Sequence, residues 1–200
     1  MTAPSLILAS ASISRRRLLE AAGLDFRVQP ADLDEASIKT KARGEGASPG
    51  ETAFLLAEMK ANLVSRAQPE AIVIGADQLL VCGTEWYDKP ANVAAARTQL
   101  RALRGQAHTL ETAIVCQHGG VRVWYHMSRP RLVMRQFSDA WLEAYLAAER
   151  DAALSSVGAY RLEGRGIQLF DKIEGDFFSI LGLPLLPLLS FLRQMKVIGT

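Results

Sequence analysis

Ala71-Ile72-Val73-Ile74-Gly75-Ala76 is an unbroken apolar run that stops at Asp77-Gln78. A strand with one wet face alternates apolar and polar residues, whereas a strand covered on both faces reads as continuous apolar sequence. The run therefore predicts a buried strand of an α/β sheet, and ligands of such sheets collect at the carboxyl ends of their strands. Asp77 stands at that end. A carboxylate there is poorly solvated unless it has a partner or a task; a helix-capping aspartate is the plainer alternative.

On the N-terminal side of this run, Ala53, Leu56, Ala57, Lys60, Ala61 and Val64 recur at helical spacing, and Ser48-Pro49-Gly50-Glu51 is a start signal, so a helix is expected from about Glu51 to Arg66. Residues 36–50 are polar and glycine-bearing and read as a loop or a frayed helix. Further back, Leu6-Ile7-Leu8-Ala9 predicts a short buried strand, Leu18, Leu19 and Ala22 a helix that Gly23 closes, and Phe26-Arg27-Val28 a second strand. On the C-terminal side, Leu79 to Cys82 continues extended, Gly83-Thr84 turns, and Lys89-Pro90 leads into a helix from Asn92 to Leu103. Residues 107–117 and 121–135 read as two strands joined at His118-Gly119-Gly120. Ser138 caps a helix to Ala148 with Trp141, Leu142 and Tyr145 on one face. A glycine-punctuated loop (Gly158 to Gly166), a short strand (Ile167 to Phe170) and a last helix (Leu183 to Met195) complete the chain. Strands and helices alternate early and a hairpin follows. The expected class is α/β, a mixed, twisted sheet flanked by helices, and with no repeat or linker residues 1–200 are expected to form one domain.

With 49% hydrophobic and 22% charged residues the 200-residue chain has ordinary globular composition. A net charge of +2 and a single short arginine run give no basic track for nucleic acid. Cys82 and Cys116 sit inside apparent strands without metal spacing, which suggests a reduced, cytoplasmic protein. No secretory leader is expected, because Leu6 to Ala9 is too short. Ile180 to Leu192 is interrupted by Pro184, Pro187 and Ser190 and falls short of the ~20 residues a membrane span needs.

The chemistry-bearing residues lie at element ends. Ser10, Ser12 and the triplet Arg15-Arg16-Arg17 open the first helix, whose unpaired amides form a ready anion site. Arginines there oppose the helix dipole, which points to a bound anion, although a solvated basic first turn is the plainer reading. Asp32, Asp34 and Glu35 could supply oxygens to a hard divalent ion or form a solvated acidic turn. Lys60 either snorkels from its apolar helix face or reaches a phosphate, and Lys89 is either a phosphate clamp or a turn lysine. Glu163 and Arg165 either read a base or solvate their loop; His108 could face a ligand, whereas His118 and His126 read as structural. No nucleophile motif, Walker sequence, zinc spacing or dinucleotide fingerprint is present. The economical combination is a polyphosphate neutralised by Arg15, Arg16, Lys60 and Lys89, a carboxylate-bound Mg²⁺, and Asp77 acting on a water.

Taken in order, Leu8-Ala9-Ser10-Ala11-Ser12 with Arg15-Arg16, Asp32-Leu33-Asp34-Glu35, Lys60-Ala61, Ile74-Gly75-Ala76-Asp77-Gln78, Lys89-Pro90, His108-Thr109-Leu110-Glu111-Thr112, Gly158-Ala159-Tyr160 with Glu163-Gly164, and Gly175-Asp176-Phe177-Phe178 through Leu183-Pro184 resemble the Maf proteins. These are nucleoside triphosphate pyrophosphatases once described as septum-formation inhibitors. The resemblance implies two lobes around a central cleft, a Mg²⁺ or Mn²⁺ cofactor, and hydrolysis of a nucleoside triphosphate to monophosphate and pyrophosphate. It implies Asp77 as general base, with Lys60 and Lys89 as catalytic lysines that contact the phosphates. It also implies phosphate contacts at Ser10, Ser12, Arg15 and Arg16, Asp77 as a metal ligand, and Glu35 as a metal or water ligand. A homodimer is what the family suggests. A dTTP/UTP-acting subgroup typically has Asp-Thr after the apolar strand. The 7-methyl-GTP-acting subgroup looks like this chain, with Gln78, Glu163-Gly164 and one extra residue before the arginines. Acidic Glu163 suits a cationic N7-methylated purine whose N1–H and N2–H₂ donate. Dispensing with catalysis altogether, a nucleotide-binding regulator of division is the alternative. Ile13 stands where the family usually has proline.

Overall fold

The computed structural model describes residues 4–199. Along them run β1 (Leu6–Leu8), α1 (Ile13–Ala21), β2 (Arg27–Val28), α2 (Glu35–Gly44), α3 (Pro49–Ala67), β3 (Ile72–Cys82), β4 (Glu85–Tyr87), α4 (Val93–Leu103), β5 (Ala107–His118), β6 (Val121–Ser128), β7 (Arg131–Met134), α5 (Asp139–Glu149), β8 (Phe170–Glu174), α6 (Phe177–Ile180) and α7 (Leu185–Gln194). Hydrogen bonding orders the strands β2-β1-β3-β5-β7-β8, with β4 on β3 and β6 on β5. Pairing is parallel from β1 to β2 and β3 and antiparallel from β5 to β6 and β7, so the sheet is mixed as expected. The chain divides into two compact units, residues 1–77, 112–128 and 177–200 in one and 78–111 and 129–176 in the other.

In the first unit, the strand period of two decides which side chains meet which helix. Leu6 and Leu8, Ile72, Ile74 and Ala76, and Ile114 and Cys116 share one core with Leu19 of α1 and Leu185, Leu188, Phe191 and Leu192 of α7. Each fully buried leucine or isoleucine there contributes about 1.5–3 kcal/mol. Gly75 belongs to the alternate set and meets α3. A Cβ on Gly75 would lie 2.1 Å from the Ala57 carbonyl oxygen and 2.9 Å from the Ala61 Cβ, so glycine against two alanines is what permits this approach. α3 itself starts with a capping box, Ser48 accepting from the Glu51 amide while Glu51 accepts from Ser48 N at 2.8 Å.

In the second unit, β3 pairs with β4 through Leu80↔Tyr87 and Cys82↔Glu85, and β5 with β7 through His108↔Leu132. β7 continues into β8 through Leu132↔Ile173. Ion pairs tie α4 to α5: Arg97 grips Glu143 through Nε and Nη2 at 2.5 and 2.7 Å, and Arg101 and Arg104 both reach Asp139.

Three local expectations need correction. Residues 35–44 are a helix, capped by Asp34, whose Oδ1 accepts from Ser37 N at 3.1 Å. Its only buried residue is Ala42, so it carries no apolar period to read. The expected strand 121–135 is broken at Arg129-Pro130 into β6 and β7, because proline lacks the N–H a ladder needs. The strand expected at Ile167 to Phe170 is a 3₁₀ turn, Arg165–Leu169, and β8 begins at Phe170. Among the described residues no helix is long and apolar enough to cross a membrane. Both cysteines are free thiols, and burial raises the pKa of each.

Candidate active site

The parity of β3 carries directly into the chemistry. Asp77 lies two residues beyond Gly75 and so falls on the face that α3 approaches. On α3, Lys60 sits beside Ala61, one of the two small residues of that contact. The result is a buried ion pair, Lys60 Nζ to Asp77 Oδ1 at 2.6 Å, with both side chains under 10% exposed. The same ammonium reaches Glu35 Oε1 at 2.7 Å, from the first turn of α2. Lys60 therefore does not snorkel; it is clamped between two carboxylates. Asp77 Oδ2 is buried and has no hydrogen-bond partner.

Arg15 is also buried. Its Nε donates to the Gly182 carbonyl at 2.8 Å, and Nη1 donates to the Ala76 carbonyl at 2.9 Å and to Ser10 Oγ at 3.1 Å. One guanidinium thus ties the Ser10 loop to the residue before Asp77 and to the turn preceding α7. Burial lowers the Arg15 pKa, and the charges of Asp77 and Glu35 oppose that shift. The carbonyls of Ala76 and Gly182 were invisible to sequence reading because any residue supplies one. Gly182 carries a signal only through its φ of +94°, which favours glycine. Ser12 caps α1, its Oγ accepting from Arg15 N at 3.4 Å, and Ser10 Oγ also accepts from Ser12 N at 3.3 Å. As acceptors, both hydroxyls keep a hydrogen to donate. Arg16 is exposed and paired with Glu20 at 2.7 Å.

So Ser10, Ser12, Arg15, Glu35, Lys60 and Asp77 share one unit, with Arg16 on the outer face of α1. The other expected residues belong to the second unit. Gln78 is half-buried in β3, Lys89 is exposed after β4, and Glu163 pairs with Arg161 at 3.3 Å. Asp34 spends its carboxylate on capping α2 rather than standing with Glu35.

Among the described residues no group of three or more His, Cys, Asp or Glu could enclose a metal ion. The donor set nevertheless fits a magnesium-like ion, which uses one or two carboxylates and leaves its other positions to water and substrate phosphates. Asp77 Oδ2, a buried acceptor without a donor, is an oxygen open either to such an ion or to a water.

A family model described as Maf-like protein matches residues 5–195. The chain belongs to the Maf family. A Maf relative from Granulibacter bethesdensis, named nucleoside triphosphate pyrophosphatase, is 56% identical over 96% of this chain and 98% of its own. One from Rhodospirillum rubrum with the same name is 49% identical over 98% and 96%. A Maf relative from Rhizobium meliloti, named 7-methyl-GTP pyrophosphatase, is 48% identical over 98% of both chains.

Proposed function

We propose that this protein hydrolyses a nucleoside triphosphate to the monophosphate and pyrophosphate, with 7-methyl-GTP the favoured substrate and removal of modified nucleotides the role. The observation that carries the reading is the Glu35–Lys60–Asp77 chain with Asp77 Oδ2 left as a buried acceptor. A lone buried acceptor costs about 1–3 kcal/mol, which a fold retains where the group has a task. Here the task is to take a proton from water as the α–β anhydride bond breaks and pyrophosphate leaves. Lys60 holds the carboxylate in place from its Oδ1 side.

Two buried cations, Arg15 and Lys60, already face two carboxylates, Asp77 and Glu35. A triphosphate therefore needs charge from elsewhere, and the exposed Arg16 and Lys89 are two further cations for it. A divalent cation, when bound, would be held by Asp77 and Glu35 and would offset the phosphate charge. Ser10 and Ser12 donate to phosphate oxygens at the start of α1.

Base choice rests on Gln78 and Glu163. A carboxylate suits the N1–H and N2–H₂ donors and the positive ring of an N7-methylated guanine. The relatives at 56% and 49% identity carry the general name and the one at 48% the 7-methyl-GTP name, which supports the reaction more than the base.

Purified protein with Mg²⁺ or Mn²⁺ should release pyrophosphate from a panel of 7-methyl-GTP, dTTP and UTP; no release from any member overturns the reading. Asp77→Asn should lower turnover by about 10³-fold while triphosphate binding survives. A regulator that only binds nucleotide would show an unchanged cellular phenotype in that variant.

A further inference from the structure

Three rings meet in the interior of the second unit. His108, 1% exposed, places Nε2 2.9 Å from the hydroxyl oxygen of Tyr160. Phe170 packs against both, with centroids 5.9 Å from His108 and 4.8 Å from Tyr160. The chemistry at Asp77 uses none of these groups. A buried histidine with Nδ1 unpartnered is costly to keep.

Tyr160 begins the segment that ends in Glu163. Its own backbone is held from both sides: Ser156 Oγ donates to the Tyr160 carbonyl, and Tyr145 Oη donates to the Ala159 carbonyl at 3.2 Å. Gly158 and Ala159 are both left-handed, with φ of +79° and +61°, and a Cβ on Gly158 would lie 2.6 Å from both Leu80 Cδ1 and the Tyr160 ring. The chain then closes a turn, Gly164 N donating to the Arg161 carbonyl at 3.2 Å, and Gly166 lies against the Arg161 backbone. Glu163 sits inside that turn. Glu163 pairs with Arg161, the first residue of the turn, and the Tyr160 anchor stands immediately upstream of that residue.

The geometry points to His108 and Tyr160 as positioning residues that fix the Arg161–Gly164 turn and thereby the way Glu163 meets the base. The inference rests on the reading of Glu163 as the base-recognising carboxylate. Burial holds the His108 pKa down to about 4, so the imidazole is neutral and the Tyr160 contact keeps one form across the physiological range.

Tyr160→Phe removes the hydroxyl and keeps the ring. Its efficiency ratio, 7-methyl-GTP over dTTP, should fall about five-fold, the scale of one hydrogen bond, through a raised KM for 7-methyl-GTP with kcat unchanged. In a Glu163→Gln background the same substitution should have no further effect, because the hydroxyl acts through Glu163. If Glu163→Gln shifts the ratio and Tyr160→Phe does not, or if the two effects add, the positioning role is overturned. If Glu163→Gln leaves the ratio untouched, the base assignment falls and this inference with it, while pyrophosphate release stands. Should Tyr160→Phe fail to fold, His108→Gln is read against the same criteria.

Discussion

Two sets of ion pairs, one in each unit, handle opposite charges in different ways. In the first, Lys60 is buried between Asp77 and Glu35, and Arg15 is buried on backbone carbonyls. In the second, Arg97 and Arg101 of α4 and Arg104 just after it pair with Glu143 and Asp139 of α5 in the open. The arginines lower the pKa of both acids, yet water and salt screen such pairs to little net stability. Burying a pair costs desolvation that its Coulomb attraction barely repays, so it persists where position matters. The contrast separates ion pairs that hold a reactive oxygen from ion pairs that hold two helices.

The contrast fails first if Lys60 proves dispensable. Lys60→Met leaves the buried Asp77 unpaired and should cost about 4 kcal/mol in denaturant unfolding, with turnover down at least about 100-fold. Gly75→Ala should cost about 3 kcal/mol, since its Cβ meets the Ala57 carbonyl at 2.1 Å. Because α3 carries Lys60, kcat should fall in the fraction that still folds.

A smaller effect belongs to His108. Its pKa is about 4 in the fold against an ordinary 6.5, so between those values the unfolded chain binds more protons. Stability is then full above about pH 6.5 and falls as pH drops toward 4, by up to about 1.4 kcal/mol per pH unit. Unfolding curves at pH 7 and 4.5 measure it, and His108→Phe should flatten the difference. The smallest effect is Arg97→Ala, which should leave both melting temperature and turnover unchanged within error; a large shift would erase the distinction between the units.

Much of this was legible in advance for physical reasons. The run Ala71 to Ala76 announced a strand covered on both faces, and Asp77 at its end was identifiable because a carboxylate after such a run is conspicuous. Lys60 stood out as a cation at an apolar helix position. α2 was not readable, because a helix held by its Asp34 cap and one buried alanine shows no period. Nor could the sequence say where Arg15 points. Three consecutive arginines look alike, yet Arg15 turns inward to carbonyls and Arg16 outward to Glu20.

β3 also counts in twos. Its even-numbered residues Ile72, Ile74 and Ala76 fill the core shared with α7, and Gly75 and Asp77 take the other parity. Insertion or deletion of one residue upstream would exchange the sets, present Gln78 or Ala76 to Lys60, and push a carboxylate into hydrocarbon. Length in this strand is therefore quantised: here the chain can change only by substitution or by pairs.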